Sequence, residues 1–132
     1  NIPIEAMDMT YDFFRVVDYS LVPDSGGDGR QRGGLALQRI YEVIADDVQF
    51  ATYADRFELA PQGLFGGEPG SCAKTFVERD GERSALRSKQ SFSLRRGDRL
   101  VMQTGGGAGY GPTEARQASE RARDVENEFV AA

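Results

Sequence analysis

The chain has no histidine among its 132 residues. From this chain alone, that excludes a Ser-His-Asp or Cys-His catalytic arrangement, a histidine general base and a zinc site with histidine ligands. One cysteine, Cys72, excludes an internal disulfide and fits a reducing compartment. Ser88 and Lys89 are the obvious pair for a Ser-Lys mechanism, but neighbouring side chains in a strand point to opposite faces. We therefore favour a structural or surface role for Lys89, and an inert one for Cys72.

The chain also lacks an excess of basic residues and long apolar segments. The chain has 21 acidic and 16 basic residues, a formal net charge of −5. Its arginines are scattered among acidic neighbours, which argues against a nucleic-acid or anionic-membrane partner. No segment reaches the length of a membrane span, and residues 1–5 do not resemble a signal peptide. We therefore expect a cytoplasmic protein and, because the chain does not begin with Met, a piece of a longer polypeptide.

Phosphate-binding motifs are missing although the chain has 16 glycines. No glycine is followed by lysine, which excludes a Walker A loop. Arg32 and Tyr110 stand where a dinucleotide fingerprint needs its third glycine. Residues 24–29 have the start of a calcium loop, but Leu35 replaces the bidentate Glu that such a loop requires. We expect this segment to bind no metal and no cofactor.

The residue pattern predicts a mainly β (α+β) fold, a single domain over residues 1–132 that is β-rich from 10 to 104. Aromatic and β-branched residues predict a strand at 13–22. Residues 35–44 and 48–53 are predicted to form a hairpin around Asp46-Asp47, and 73–78 and 84–86 another around Asp80-Gly81. Further strands are predicted near 91–94 and 99–103.

Only the C-terminal segment has a helical period. Apolar residues recur there at steps of three and four, at Ala115, Ala118, Ala122, Val125 and Phe129. Pro112-Thr113-Glu114 marks a helix start. The sequence thus predicts one α-helix over 113–129 with an apolar stripe.

Fourteen of the 16 glycines fall in three clusters, at 26–34, 63–70 and 105–111. Glycine at this density indicates loops that need positive φ or close approach by another surface. Amides of Gly105, Gly106, Gly107 and Gly109 can line an anion nest before the helix; close packing of this loop, with Tyr110 as its anchor, is the alternative. Other residues are candidates for bracing the loops, for a subunit interface or for the wall of a substrate site. They are Asp24, Ser25, Arg30, Arg32, Asp55, Arg56, Phe65, Lys89 and Tyr110. Ion pairs that brace loops are the commoner role for such charged residues.

Five ordered motifs resemble the C-terminal part of the hydantoinase B/5-oxoprolinase family over essentially the whole chain. They are residues 1–5, the loop 23–34, Asp55-Arg56 with the loop 61–70, Ser88-Lys89 followed by Gly97-Asp98, and the ending 104–112. Two departures leave the substrate open. Gln62 replaces a family tryptophan, and the ending lacks a proline, a glycine and an aspartate of the family pattern.

The resemblance implies an ATP-dependent enzyme that opens cyclic amides such as hydantoins or 5-oxoproline. It also implies two partners, the upstream part of a hydantoinase B-type chain and a hydantoinase A-type ATPase subunit. ATP, magnesium and a divalent metal are implied for the full assembly. The alternative is a non-catalytic structural or interaction module of a related carboxylase complex. No catalytic residue is assigned within this segment, which we do not expect to be catalytic by itself.

Overall fold

The computed structural model describes residues 3–131. Within this range, seven β-strands form two sheets, and short helices lie near both ends. The strands are β1 (Phe14–Val22), β2 (Ala36–Val43), β3 (Val48–Tyr53), β4 (Lys74–Arg79), β5 (Glu82–Ala85), β6 (Lys89–Leu94) and β7 (Arg99–Gln103). The helices are α1 (Ile4–Thr10) and α2 (Ala118–Glu126). The predicted mainly β fold is confirmed.

Sheet pairing departs from the sequence prediction at one hairpin. Five strands form a sheet in the order β1-β2-β7-β4-β5, while β3 pairs only with β6 in a second, antiparallel sheet. The predicted hairpin between β2 and β3 is therefore wrong, although both strands exist. Asp47 has φ 56 in the connection between them. The chain turns there into a different sheet, where Phe50 lies opposite Phe92.

The second predicted hairpin is confirmed. Strands β4 and β5 pair antiparallel, with Arg79 opposite Glu82. Asp80 and Gly81 between them have φ values of 53 and 83. Positive φ at both residues of a two-residue connection is typical of a type I′ turn, whose twist matches that of the paired strands. Asp-Gly favours this turn because both residues tolerate positive φ.

Both helical regions differ from the prediction in extent. A C-terminal helix is present, but α2 covers only Ala118–Glu126, and a separate 3-10 turn at Thr113–Ala115 precedes it. The predicted apolar stripe does not form its packing face, because Asp124 is its buried residue and Val125 is exposed. Helix α1 was not predicted. Neither helix has the length and apolar character to cross a membrane, within the part of the chain described.

The chain divides into two compact units. The sheet unit consists of Asn1–Tyr19, Gln38–Asp55 and Lys74–Met102. The loop unit consists of Ser20–Leu37, Arg56–Ala73 and Gln103–Ala132, and so contains all three glycine clusters. That residues 1–132 form a single domain stays a prediction.

The hydrophobic core lies in the sheet unit. Its buried members are Tyr41, Val43, Val77, Leu86, Leu94 and Leu100. One buried charge accompanies them: Asp98, 2% exposed, accepts hydrogen bonds from Arg79 Nε at 2.9 Å and from the Arg95 backbone N–H at 2.9 Å. Burial raises the pKa of the Asp98 carboxyl, but the bonds and charges of both arginines outweigh burial, so the pKa is lowered overall.

Candidate functional site

The candidate site is formed by three glycine loops, all within the loop unit. We call residues 23–34 the first loop, 61–73 the second and 104–112 the third. The first and third are joined by backbone hydrogen bonds. Gly27 N donates to Gly107 O at 2.8 Å, and Gly107 N donates to Gly34 O at 2.8 Å. Gln31 and Tyr110 exchange two bonds, both of 2.9 Å, as an isolated antiparallel bridge.

The second loop bonds to both of the others. Toward the first, Ser71 N donates to Ser25 O at 3.0 Å and Glu68 N donates to Asp28 O at 2.7 Å. Toward the third, Glu68 O accepts the Gly109 N–H at 2.8 Å, and Ser71 O accepts the Gly106 N–H at 3.1 Å. Each loop therefore contacts the other two through main-chain groups, and the three form one hydrogen-bonded array.

Glycine is required where these backbones approach most closely. A Cβ at Gly106 would overlap the carbonyl oxygen of Ser25, and a Cβ at Gly109 would overlap that of Asp28. Both obstacles are backbone atoms, which cannot swing aside as a flexible side chain can. Close approach of one backbone to another thus explains glycine at these two positions.

The expected anion nest has few free donors in this arrangement. Gly106 N also lies 3.1 Å from Ser71 Oγ. With Gly107 and Gly109 bonded as described, three of the four proposed amides already donate to protein oxygens. The structure thus fits close packing of the third loop, the alternative weighed from the sequence.

Asp24 and Ser25 brace the first loop. Ser25 is buried; its Oγ donates to Val22 O at 2.5 Å and accepts the Ala36 N–H at 2.7 Å. Asp24 has φ 57, and its Oδ1 accepts the Ala131 N–H at 3.0 Å. Its own N–H donates to Phe129 O at 3.0 Å, so Asp24 ties the loop to the C-terminal segment.

Arg32 belongs to a charged cluster that the sequence did not reveal. Arg116 Nη2 lies 2.6 Å from Asp124 Oδ2, and Arg32 Nε lies 3.4 Å from the same oxygen. The Arg32 guanidinium also lies over the Phe129 ring, 5.3 Å from its centroid. Asp124 and Arg116 are separated by eight residues, and no motif marks them. The contact of Arg32 with Asp124 links the first loop to α2.

The other charged candidates are dispersed. Arg30 is exposed and bonds by its backbone N–H to Gly111 O at 3.1 Å. Asp55 and Arg56 are exposed, and the ion pairs among residues 3–131 do not include them. Lys89 belongs to the sheet unit, where its Nζ lies 5.2 Å from the centroid of the exposed Tyr53 ring.

Phe65 and Tyr110 form an exposed aromatic pair on the second and third loops. Their ring centroids are 5.3 Å apart in an edge-to-face arrangement, and 76% of Phe65 and 49% of Tyr110 are exposed. Phe65 has φ 53, a conformation that is unusual for a bulky residue. Neighbouring Leu64 donates its N–H to Gly109 O at 3.1 Å, which fixes the backbone beneath the pair.

An open cavity of about 520 Å³ lies between the glycine loops and the C-terminal segment. Arg116, Arg121 and Thr113 line it on the C-terminal side, while Asp28 and Glu68 line it from the loops. Over the described residues 3–131, no group of three His, Cys, Asp or Glu side chains is placed to hold a metal ion.

Sequence and structure comparisons identify the class of protein. The hydantoinase B/oxoprolinase family matches residues 1–113, and the chain therefore belongs to that family. An uncharacterized protein of Methanocaldococcus jannaschii is 35% identical to this chain over 130 residues. These residues are 98% of this chain and 23% of that protein. A 5-oxoprolinase of Dictyostelium discoideum is 28% identical over 113 residues, which are 85% of this chain and 9% of that protein.

Two solved structures share the fold. Acetone carboxylase, which carries out ATP-dependent acetone carboxylation, superposes with a TM-score of 0.84 at 16% identity, over 98% of this chain and 22% of its own. The ATP-dependent caprolactamase of Pseudomonas jessenii superposes with a TM-score of 0.85 at 23% sequence identity. The superposition covers 98% of this chain and 23% of the caprolactamase chain. This chain thus spans less than a quarter of the relatives and structures it matches.

Proposed function

We propose that this chain is the C-terminal segment of an ATP-dependent cyclic-amide hydrolase of the hydantoinase B/5-oxoprolinase type. In this proposal it completes the active assembly with a hydantoinase A-type ATPase partner. The observation that carries the proposal is the interlocked loop array. Its main-chain groups are bonded to one another, and it presents the exposed aromatic side chains of Phe65 and Tyr110. The match to 5-oxoprolinase and the shared fold of caprolactamase support a cyclic amide as the substrate class.

Rigidity makes the loops suited to an assembly role. A residue such as Phe65 at positive φ costs on the order of 1–3 kcal/mol and persists only where its surroundings fix it. The bonds between the second and third loops provide that constraint. A side chain held in place before binding loses less entropy when a partner arrives. The Phe65–Tyr110 pair is therefore our candidate contact with the ATPase subunit.

The division of labour in the proposal follows from the residues available. Histidine is absent from this chain, so any histidine ligand or base has to come from the rest of the assembly. We place ATP, magnesium and any divalent metal there as well. The loop array would then support a wall of the active site or the subunit interface rather than supply a reacting group.

Reconstitution with the full parent protein and its ATPase subunit tests the proposal. We expect ATP hydrolysis to depend on both subunits and on a cyclic amide, with 5-oxoproline and hydantoin as the probes. Replacing the aromatic pair, by F65A and Y110A together, should weaken subunit association by about 2 kcal/mol, roughly thirtyfold in Kd. The control is Tyr53→Ala, which removes an aromatic side chain from the sheet unit that is 86% exposed.

A carboxylase module is the second candidate, favoured by the TM-score of 0.84 with acetone carboxylase. The same reconstitution separates the two. ATP hydrolysis that requires a ketone and a carbon dioxide source, and ignores cyclic amides, would overturn the hydrolase in favour of the carboxylase. Unchanged association in the Phe65 and Tyr110 double variant would remove this pair from the interface.

A further inference from the structure

An apolar groove opens in the sheet unit, apart from the glycine loops. Its volume is about 240 Å³, and among its lining residues only Gln49 is polar. Met7, Val48 and Phe50 line it and are partly buried against the hydrophobic core, and its buried lining residues belong to that core. One water occupies about 30 Å³ of liquid, and close-packed cores leave few voids larger than that. The core of this unit is therefore open on one side.

The groove is bordered by a helix most of whose residues are exposed. Helix α1 has seven residues, all described, and none of them is buried. Its N-cap, Pro3, makes no side-chain capping bond, and Met9 is 88% exposed. Helices this short are marginal in water unless packing holds them. Within α1, Met7 packs against the core, and a cover that filled the groove would bury more of this helix.

The mouth of the groove is aromatic. Phe13 packs edge-to-face on Phe14 at 5.0 Å, and Phe14 packs likewise on Tyr41 at 5.0 Å. Tyr11 joins this cluster, 5.3 Å from Phe13, and both remain more than one-third exposed. Aromatic side chains are enriched at the buried centres of protein interfaces. Their exposure beside an open core therefore marks a docking surface.

We infer that an apolar segment of the parent polypeptide, from outside residues 1–132, fills this groove and completes the core. The occupant is apolar because nearly the whole lining is apolar. It is assigned to the same polypeptide because the matched relative from Methanocaldococcus jannaschii is more than four times as long as this chain. The inference rests on the proposed function only in requiring that a longer parent chain exists.

One substitution separates a filled groove from an open one. Val48→Phe adds a ring to the lining of the groove, and its control, Val17→Phe, adds the same ring on the exposed face of β1. In the 132-residue chain, the new ring should fill the groove and raise the Tm. In the parent protein it should compete with the native occupant and lower the Tm. Val17→Phe should change neither.

Hydrogen exchange supplies a measurement that needs no variant. We expect amides of residues 7–14 and 48–50 to exchange at least about tenfold more slowly in the parent protein than in the 132-residue chain. Equal exchange in both, or a Tm that rises in both with V48F, would overturn the inference. So would protection of these amides in the 132-residue chain that grows with its concentration, since the occupant would then be a second copy.

This outcome is independent of the enzymatic proposal. If the parent protein shows no substrate-dependent ATP hydrolysis but protects the groove, the proposed function fails and the docking surface stands. If the parent protein hydrolyses ATP as proposed while the amides around the groove exchange freely, the proposed function stands and the docking surface fails.

Discussion

Each of the two compact units is stabilised internally by a different part of the polypeptide: one by side chains, the other by the main chain. In the sheet unit, side chains such as Val77 and Leu94 are buried against one another. In the loop unit, main-chain amides and carbonyls of three loops are bonded directly, with no side chain between the closest pairs. A buried apolar residue can be replaced by another of similar volume, whereas every replacement of glycine adds a Cβ. The units should therefore differ sharply in their tolerance of substitution.

The largest effect should come from adding one methyl group to the loop array. Gly33→Ala places a Cβ where it would overlap the carbonyl of Gly107. Either the first or the third loop must move, so hydrogen bonds such as Gly27 N to Gly107 O should break. We expect a loss of more than about 4 kcal/mol in the free energy of unfolding, measured by urea denaturation.

Gly34→Ala is the matched control, because a Cβ there meets nothing within 4 Å. Replacing a glycine whose φ suits alanine stabilises by about 0.4–1 kcal/mol through the unfolded state. Adjacent glycines should thus give effects of opposite sign. Similar effects for both substitutions would contradict the interlocked arrangement of the loops.

The sheet unit should be less sensitive, in a way that depends on volume. Leu94→Ala removes a buried side chain from the core and should cost about 3 kcal/mol. Leu94→Met keeps the volume and should cost less than about 1.5 kcal/mol. Thermal unfolding of the pair measures the difference. Equal losses for both would mean that this core, like the loop array, accepts only its native residue.

Local sequence signals predicted the strands well because they act over a few residues. The aromatic and β-branched residues of β1 and the Asp80-Gly81 turn both act between neighbours in the chain. Assignment of β2 and β3 to different sheets depends on partners far along the chain, which no short pattern encodes. Sequence reasoning therefore found both strands and paired them wrongly.

The candidate site shows the same division. Glycine clustering identified the loops, because close approach of backbones leaves a compositional trace. The ion pair of Asp124 with Arg116 left none, since it lies across a turn and the apolar stripe of α2 pointed to another face. The anion nest stays a prediction, because the sequence shows which amides exist but not which carbonyls they meet.

Asp98 sharpens the comparison, because it is a buried charge in the sheet unit. Its pKa in the folded state is lowered below the ordinary value of about 3.9. Its stabilising contribution is therefore present above that value and lost as the pH falls through the folded pKa. Asp98→Asn should lower the Tm at pH 7, because both carboxylate oxygens accept hydrogen bonds and the amide nitrogen that replaces one of them cannot accept.

The difference between wild type and Asp98→Asn should also shrink as the pH falls below about 4, because the unfolded chain begins to bind a proton there while the folded carboxyl, whose pKa is lowered, still resists protonation. Thermal unfolding measured from pH 7 to pH 2.5 follows this trend. Glu82→Gln, at an exposed position, controls for the general effect of removing an acidic group. A difference that stayed constant over the whole range would show that the Asp98 charge contributes nothing.

The smallest effect should be at Lys89, the residue that the sequence singled out beside Ser88. Its Nζ lies over the ring of Tyr53, which is 86% exposed, and both residues lie at the end of the β3–β6 pair. A cation–π contact in water contributes about 0.5–1 kcal/mol, because the ammonium stays solvated. A double-mutant cycle with K89A and Y53A should give a coupling energy of about 0.5 kcal/mol. A coupling above about 2 kcal/mol would require a desolvated pair, and would mean that this surface is covered in solution.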